Sequence, residues 1–137
     1  MSDNAMSDVF SSYARADRDK TADLAELLER HGWSLWWDND IPAGKTWAQV
    51  IQHALDQARC VVVLWSSASL SSHWVNTEAR EGLRRGILVP VMLEDVTMPL
   101  EFRSIQSVGL SRWPDQACEQ EIHKLVAAVS LASRQAP

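Results

Sequence analysis

The sequence predicts an α/β fold in which helices cover both faces of a parallel sheet. Short apolar runs alternate with amphipathic stretches along the chain, as strands alternate with crossover helices. The run Cys60–Trp65 is apolar without a break, which is typical of a strand buried on both faces at the centre of a sheet. A length of 137 residues, 46% of them apolar, suits one domain with one core.

The first strand, first helix and second strand are predicted before residue 38. Asp8–Ser12 forms the first strand, and Asp17 is placed to cap the helix that follows. Three leucines of this helix share one face, and Gly32 ends it. Trp33–Trp37 is then the second strand.

A polar turn, Asp38–Lys45, separates the second strand from the second helix. Thr46 and Gln49 have the spacing of a capping box, in which each side chain satisfies a backbone amide of the other residue. The helix should therefore begin at Thr46. The central strand Cys60–Trp65 follows it.

Residues Ser66–Ser72 are predicted to form a serine-rich loop, and Trp74–Arg85 a helix that ends at Gly86. Ile87–Met92 is the predicted fourth strand. Pro90 lies inside it and has no amide proton to donate, so we expect a bulge or a peripheral place in the sheet.

The last third of the chain supplies the final strand and helix. Val96–Gln106 is predicted to be irregular with one helical turn, Ser107–Leu110 to be a weak edge strand, and Asp115–Leu131 to be a helix. Five strands in this arrangement predict a flavodoxin-like sheet of order 2-1-3-4-5.

Ligands of such sheets bind beyond the carboxyl ends of the strands. The loops after Ser12, Trp37 and Trp65 are therefore the places where we expect the functional residues.

The predicted domain occupies residues 7–133. Residues 1–6 are interpreted as a disordered lead or an expression remnant, and residues 134–137 as a frayed terminus. The chain has neither a signal peptide pattern nor an apolar run of about 18 residues, which predicts a cytoplasmic protein away from membranes. Cys60 and Cys118 form no C-x-x-C pair and suit a reducing compartment.

A net charge of −5, with no dense cluster of lysine and arginine free of acidic neighbours, argues against a nucleic-acid partner.

Several enzyme motifs are also excluded. Gly44–Thr46 resembles the end of a phosphate-binding P-loop, but Asn39 stands where that loop needs glycine, and Pro42 removes an amide. The central strand ends in Leu64–Trp65, without the acidic residue of a magnesium site or a phospho-receiver. No G-x-G-x-x-G fingerprint is present.

No metal and no cofactor is predicted. The histidines lack metal-ligand spacing relative to cysteine, aspartate or glutamate, so we expect them to be exposed or to cap helices. They are His31, His53, His73 and His123.

Trp74 and Glu78 lie four residues apart, and therefore on one face of the predicted helix. Val75, Ala79 and Leu83 form the neighbouring stripe, which should face the sheet. Two interpretations remain open for Glu78. A glutamate early in a helix commonly faces water and interacts with the helix dipole. A carboxylate on the ligand side of the sheet can also be catalytic.

Four segments in order resemble TIR domains. Asp8–Asp17 resembles their opening strand and loop, Trp36–Trp47 their BB loop, Cys60–Ser67 their central strand, and Ser72–Glu78 their S-x-W-x-x-x-E box. The resemblance covers roughly residues 7–113 and is closer to bacterial TIR domains than to those of animal receptors. Ser11 departs from it, because the family usually has an aliphatic residue there. A buried hydroxyl at that position needs a partner or costs about 1–3 kcal/mol.

The resemblance implies an activity and a set of site residues. In catalytically active TIR domains the glutamate of the box cleaves the bond between nicotinamide and ribose in NAD+, which is the substrate; here that residue is Glu78. The product is ADP-ribose or a cyclic ADP-ribose. The implied substrate-binding residues are Trp74 beside the ribose, Tyr13 and Arg15 at the base or phosphates, and Lys45 and Trp47 completing the pocket across a neighbouring copy.

The resemblance also implies self-association or binding of other TIR domains through the BB loop. The interaction residues are Asp40, Ile41, Pro42, Ala43 and Gly44. Three hypotheses follow. The chain is an NAD+ hydrolase that self-association activates in antiphage or stress signalling, a non-catalytic interaction module, or an effector that disrupts the TIR signalling of a host.

Overall fold

A computed structural model of the chain describes residues 8–37, 44, 46–116 and 118–135. Within these residues the strands form one parallel sheet with the order β2-β1-β3-β4-β5, as predicted. The strands are β1 (Val9–Ser12), β2 (Leu35–Trp36), β3 (Cys60–Trp65), β4 (Leu88–Met92) and β5 (Val108–Gly109).

Helices cover both faces of the sheet. They are α1 (Arg18–Arg30), α2 (Trp47–Gln57), α3 (Ser67–Leu70), α4 (His73–Arg85) and α5 (Glu119–Gln135). Single 3-10 turns occur at Arg15–Asp17 and Leu100–Phe102, and the second is the helical turn predicted before the edge strand. No helix in these ranges combines the length and hydrophobicity needed to cross a bilayer.

The core is centred on β3, whose bounds agree with the prediction. All six of its side chains are inaccessible to solvent, and it pairs with β1 on one side and β4 on the other. An apolar strand without polar positions is stable only when both faces are covered. The unbroken apolar sequence of β3 is therefore explained by the burial of both of its faces.

The prediction of a loop at Ser66–Ser72 is wrong. Residues 67–70 form α3, which a second capping box starts: the Ser66 amide donates to Ser69 Oγ at 2.7 Å, and the Ser69 amide to Ser66 Oγ at 3.1 Å. Ser72 then caps α4 through the amide of Val75 at 3.2 Å. Serines three residues apart favour helix starts as well as loops, because the hydroxyl substitutes for the missing carbonyl partner.

Pro90 lies in β4 without a bulge, since the register between β3 and β4 is unbroken from Val61 to Trp65. The Val61 amide donates to the carbonyl of residue 87. The backbone amides and carbonyls of odd-numbered residues in β4 therefore point toward β3, whereas the backbone nitrogen of Pro90 points toward β5. β5 pairs only with Val91 and Met92. The missing amide proton of Pro90 therefore falls where the sheet needs no donor, one strand from the edge.

The structure also differs from the prediction at β2, at the last helix and at Asp17. β2 is limited to two residues of the predicted Trp33–Trp37. The last helix begins at Glu119, four residues later than predicted, and reaches Gln135. Asp17 precedes α1 but does not cap it through its side chain. Its carboxylate accepts a hydrogen bond from Ser66 Oγ at 2.5 Å, which joins the start of α1 to the start of α3.

The polar departure on β1 has a partner. Ser11 is buried, and its hydroxyl donates to the carbonyl of Trp36 at 3.1 Å. The expected cost of an unpaired hydroxyl is thus avoided, and the bond ties β1 to the end of β2.

Candidate active site

An open cleft of about 470 Å³ lies at the carboxyl ends of β1 and β2, beside the amino-terminal half of α4. Its position agrees with the rule that parallel α/β sheets bind ligands at this edge. The residues that line it are Ser11, Tyr13, Ala14, Arg15, Arg18, Trp36, Ile51, Ser72, Trp74 and Glu78. Four of the predicted site residues, Tyr13, Arg15, Trp74 and Glu78, therefore meet in one cleft.

Glu78 is buried, with 7% of its surface exposed, so the interpretation of a solvated helix residue is wrong. The reason is the close packing of α4 on β3. At Gly82, one turn after Glu78, an added Cβ would stand 2.9 Å from the Cβ of Val61. Because the glycine brings the helix this close, the face that carries Glu78 is drawn in toward the sheet.

The carboxylate of Glu78 has one neighbour that the sequence did not indicate. Ser12, the last residue of β1, donates its hydroxyl to Glu78 Oε1 at 2.6 Å, and both side chains are buried. Among the described residues no hydrogen bond reaches Oε2. Since Glu78 lines the cleft, Oε2 is the oxygen that a bound molecule can meet.

Burial raises the pKa of Glu78 from 4.5 to about 7, and the hydrogen bond from Ser12 opposes that rise. Near neutral pH the side chain is therefore divided between its acid and its carboxylate. A pKa moved this far inside a cleft is typical of a catalytic acid or base.

Two basic side chains line the cleft. Arg15 and Arg18 both line it, and Glu78 is the one acidic residue among its described walls. The Arg18 guanidinium lies 5.2 Å from the ring centre of Trp37, and the Tyr13 hydroxyl donates to the Trp37 carbonyl. Two guanidinium groups at an opening favour an anionic ligand such as a phosphate ester.

Aromatic surfaces complete the walls. Trp36 stacks on buried Phe10 with ring centres 5.0 Å apart, which holds it in place. Trp74 stands at the rim with 48% of its surface exposed. A large apolar ring that the protein leaves half open offers a flat surface for a base or a sugar.

The remaining predicted residues lie at or beyond the edge of what the structure describes. Lys45 and the interaction residues 40–43 fall outside the described ranges, whereas Gly44 is exposed with a φ of 84°. Trp47 opens α2, whose capping box is confirmed: the Thr46 amide donates to Gln49 Oε1 at 2.9 Å, and the Gln49 amide to Thr46 Oγ1 at 3.2 Å. Among the described side chains of α2, Ile51 lines the cleft.

The described histidines and Cys60 are not among the residues that line this cleft. All four histidines are exposed, as predicted, and His31 Nδ1 lies 2.9 Å from the carbonyl of Leu27 near the end of α1. Burial raises the pKa of Cys60 to about 12, so its thiol stays protonated and unreactive. No cluster of metal-ligating side chains occurs within the described ranges.

A parallel sheet of order 2-1-3-4-5 covered by helices defines a flavodoxin-like α/β domain. The sequence profile of the TIR domain matches residues 9–126, so the chain belongs to the TIR domain family. No curated protein sequence is significantly similar to it.

Solved structures have the same fold at low sequence identity. The TIR domain of the Toll-related receptor TRR-2 from Hydra magnipapillata has a TM-score of 0.76 at 19% identity, over 91% of this chain and 99% of that one. A metazoan TIR-STING receptor from C. gigas, in complex with 2',3'-cGAMP, gives 0.73 at 21% identity over 95% of this chain and 41% of the receptor. The TIR domains of the activated Roq1 resistosome, which recognises the pathogen effector XopQ, give 0.67 at 19% identity over 90% and 99%.

Proposed function

We propose that this TIR domain cleaves the nicotinamide–ribose bond of NAD+, with Glu78 as the catalytic carboxylate. The observation that carries the proposal is the buried Glu78 side chain, bonded to Ser12 through Oε1 and open to the cleft at Oε2. A carboxylate removed from water acts more strongly on a developing positive charge than one in solvent.

The reaction requires few protein groups besides this negative charge. The bond between the anomeric carbon and the pyridinium nitrogen breaks, and its electron pair goes to the nitrogen, so nicotinamide leaves as a neutral molecule without a general acid. The ribose becomes oxocarbenium-like, and the Glu78 carboxylate stabilises it while accepting hydrogen bonds from ribose hydroxyls. Water then adds to the anomeric carbon and releases a proton, which gives ADP-ribose. Attack by an adenine nitrogen instead gives a cyclic ADP-ribose.

The walls of the cleft suit a dinucleotide. Arg15 and Arg18 provide the charge and the donors for a pyrophosphate, and Trp74 and Tyr13 provide rings beside a ribose or a base. A volume of about 470 Å³ falls within the range of small-molecule sites, but the cleft is open on one side. A second copy would close it, and Lys45 and Trp47 are the residues we assign to that closure.

Self-association through residues 40–44 therefore belongs to the proposed function, as the step that activates the domain. We place it in a bacterial type of TIR domain that acts in the cytoplasm in antiphage or stress signalling. The alternatives are a domain that only recruits other TIR domains through the same loop, and an effector that disrupts the TIR signalling of a host. The burial of a carboxylate favours the enzyme, because an interaction module has no need of a costly buried acid.

The test is nicotinamide release from NAD+ by concentrated protein, followed by chromatography, with and without a crowding agent. Glu78→Gln keeps the size and the hydrogen bond of Glu78 but removes its charge, and we expect no release from it. The matched control is Glu81→Gln, which removes a partly exposed carboxylate of the same helix outside the cleft and should retain release.

Release that survives Glu78→Gln would remove the catalytic role of this residue. Absence of release from the unmodified protein, also when it is crowded or fused to a clustering partner, would favour the interaction module.

A further inference from the structure

The strongest unexplained contact near the cleft joins two elements that are far apart in the sequence. Ser12 and Glu78 are 66 positions apart, and the 2.6 Å bond between them is buried. Each partner sits on rigid backbone. Ser12 pairs with Val63 inside the sheet, and α4 is held against β3 by the close approach at Gly82. The hydroxyl therefore stays aimed at one oxygen of Glu78.

We propose that Ser12 is a positioning residue, whose hydroxyl favours the ionised form of Glu78 and fixes the carboxylate with Oε1 bound and Oε2 open to the cleft. The inference rests on the proposed function, because it assigns Ser12 a part in the same reaction. Ser12 itself does not line the cleft, so it acts through Glu78 rather than on the substrate.

The strength of the hydrogen bond between Ser12 and Glu78 depends on the charge of Glu78. A serine hydroxyl always has a proton to donate, and a carboxylate oxygen is a stronger acceptor than the oxygens of a neutral acid. The hydrogen bond is therefore stronger when Glu78 is ionised. Without it, burial would raise the pKa of Glu78 unopposed and favour the protonated form.

Few other groups can control the charge of Glu78. The strands and the helix that pack on α4 place no acid or base beside it: β1, β4 and α3 contain no titratable residue, and Cys60 of β3 remains a neutral thiol. Among the described residues that line its cleft, the other titratable or charged ones are Tyr13, Arg15 and Arg18, all from the segment after β1. Ser12 is the single hydrogen-bond donor to Glu78 among the residues that the structure describes.

The first experiment is the pH profile of kcat/KM for nicotinamide release by Ser12→Ala. We expect the midpoint near pH 7 to move up by about one pH unit, which lowers the rate at neutral pH about fivefold and restores it in alkaline solution. Ser12→Thr keeps the hydroxyl and should keep the original midpoint. Thr21→Val removes a buried hydroxyl bonded to the Asp17 carbonyl, outside the cleft, and should also leave the midpoint unchanged.

A second measurement separates this inference from the proposed function. The free energy of unfolding in urea, recorded against pH without NAD+, reports the ionisation of Glu78 directly, since stability falls with rising pH until Glu78 is fully charged. In Ser12→Ala the free energy of unfolding should continue to fall up to a higher pH. This difference from the unmodified domain should disappear when both proteins also carry Glu78→Gln.

An extended fall without any nicotinamide release would support the role of Ser12 and overturn the NAD+ reaction. A rate that drops equally at all pH values, or an unfolding profile that Ser12→Ala does not change, would overturn the role of Ser12. Those results would leave the assignment of Glu78 intact.

Discussion

Replacing Glu78 with glutamine should stabilise the domain in neutral and alkaline solution. In the folded chain the pKa of Glu78 is about 7, against 4.5 without the fold. Between these two values the folded state binds more protons than the unfolded state, so stability falls as pH rises through this window and is fully retained below it. The difference between the two pKa values corresponds to about 3 kcal/mol of lost stability once Glu78 is fully ionised. Glutamine has the same shape, can accept the Ser12 hydrogen bond through Oε1, and never ionises.

The assay is urea unfolding followed by tryptophan fluorescence at about pH 4.5, 6 and 8, values that span the window of the Glu78 pKa. Glu78→Gln should match the unmodified domain at the lowest pH and exceed it by roughly 3 kcal/mol at the highest. The control is Glu81→Gln on the same helix. A hydrogen bond from Arg84 lowers the pKa of Glu81, so losing that carboxylate should be slightly destabilising. Equal stability of Glu78→Gln and the unmodified domain at about pH 8 would mean that Glu78 is solvated in the folded state, which would refute the reasoning.

Three other outcomes are expected. If the carboxylate form of Glu78 acts on NAD+, kcat/KM for nicotinamide release rises with pH to a plateau above about pH 7; a profile flat from about pH 5 to 9 would contradict this. Gly82→Ala forces a Cβ to within 2.9 Å of Val61 and should cost about 1–3 kcal/mol in urea unfolding, together with reduced nicotinamide release as α4 moves outward; unchanged stability would show that the helix relaxes freely. Arg15→Gln should raise KM for NAD+ several-fold and leave kcat nearly unchanged, because a phosphate contact binds substrate and transition state alike; a selective loss of kcat would instead connect Arg15 with the reacting bond.

Most of the fold could be predicted because its signals are local. The unbroken apolar run of β3 and the capping box at Thr46 depend on neighbours in sequence, and both agree with the structure. The serines after β3 were misassigned because the same spacing favours a loop or a short helix, and packing against β3 decides between them. Asp17 was misassigned because its partner Ser66 lies 49 residues further along the chain.

The candidate site was predictable in its location but not in its chemistry. The sequence placed it in the loops after β1, β2 and β3, and the resemblance to TIR domains pointed to Glu78. The burial of Glu78 depends on how closely α4 approaches β3, which a glycine one turn away determines through contact with Val61. The position of Ser12 at the carboxyl end of β1 was the available signal for its role, since residues at that edge are those that ligands or catalytic groups meet. No local pattern indicates that its hydroxyl bonds to α4.

The geometry of the site follows from the topology of the sheet. In the order 2-1-3-4-5 the chain moves from β1 to one side for β2 and to the other side for β3, so the crossovers diverge and leave a crevice beside the end of β1. Ser12 occupies that end, and α4 closes the crevice from the β3 side with Glu78 at its buried face. Burial removes most of the Glu78 side chain from water. This desolvation lowers the stability of the fold and strengthens the electric field that the carboxylate exerts on a positive charge in the cleft. The stability that Glu78→Gln should recover and the nicotinamide release that it should abolish therefore have one physical origin, the desolvation of a single carboxylate.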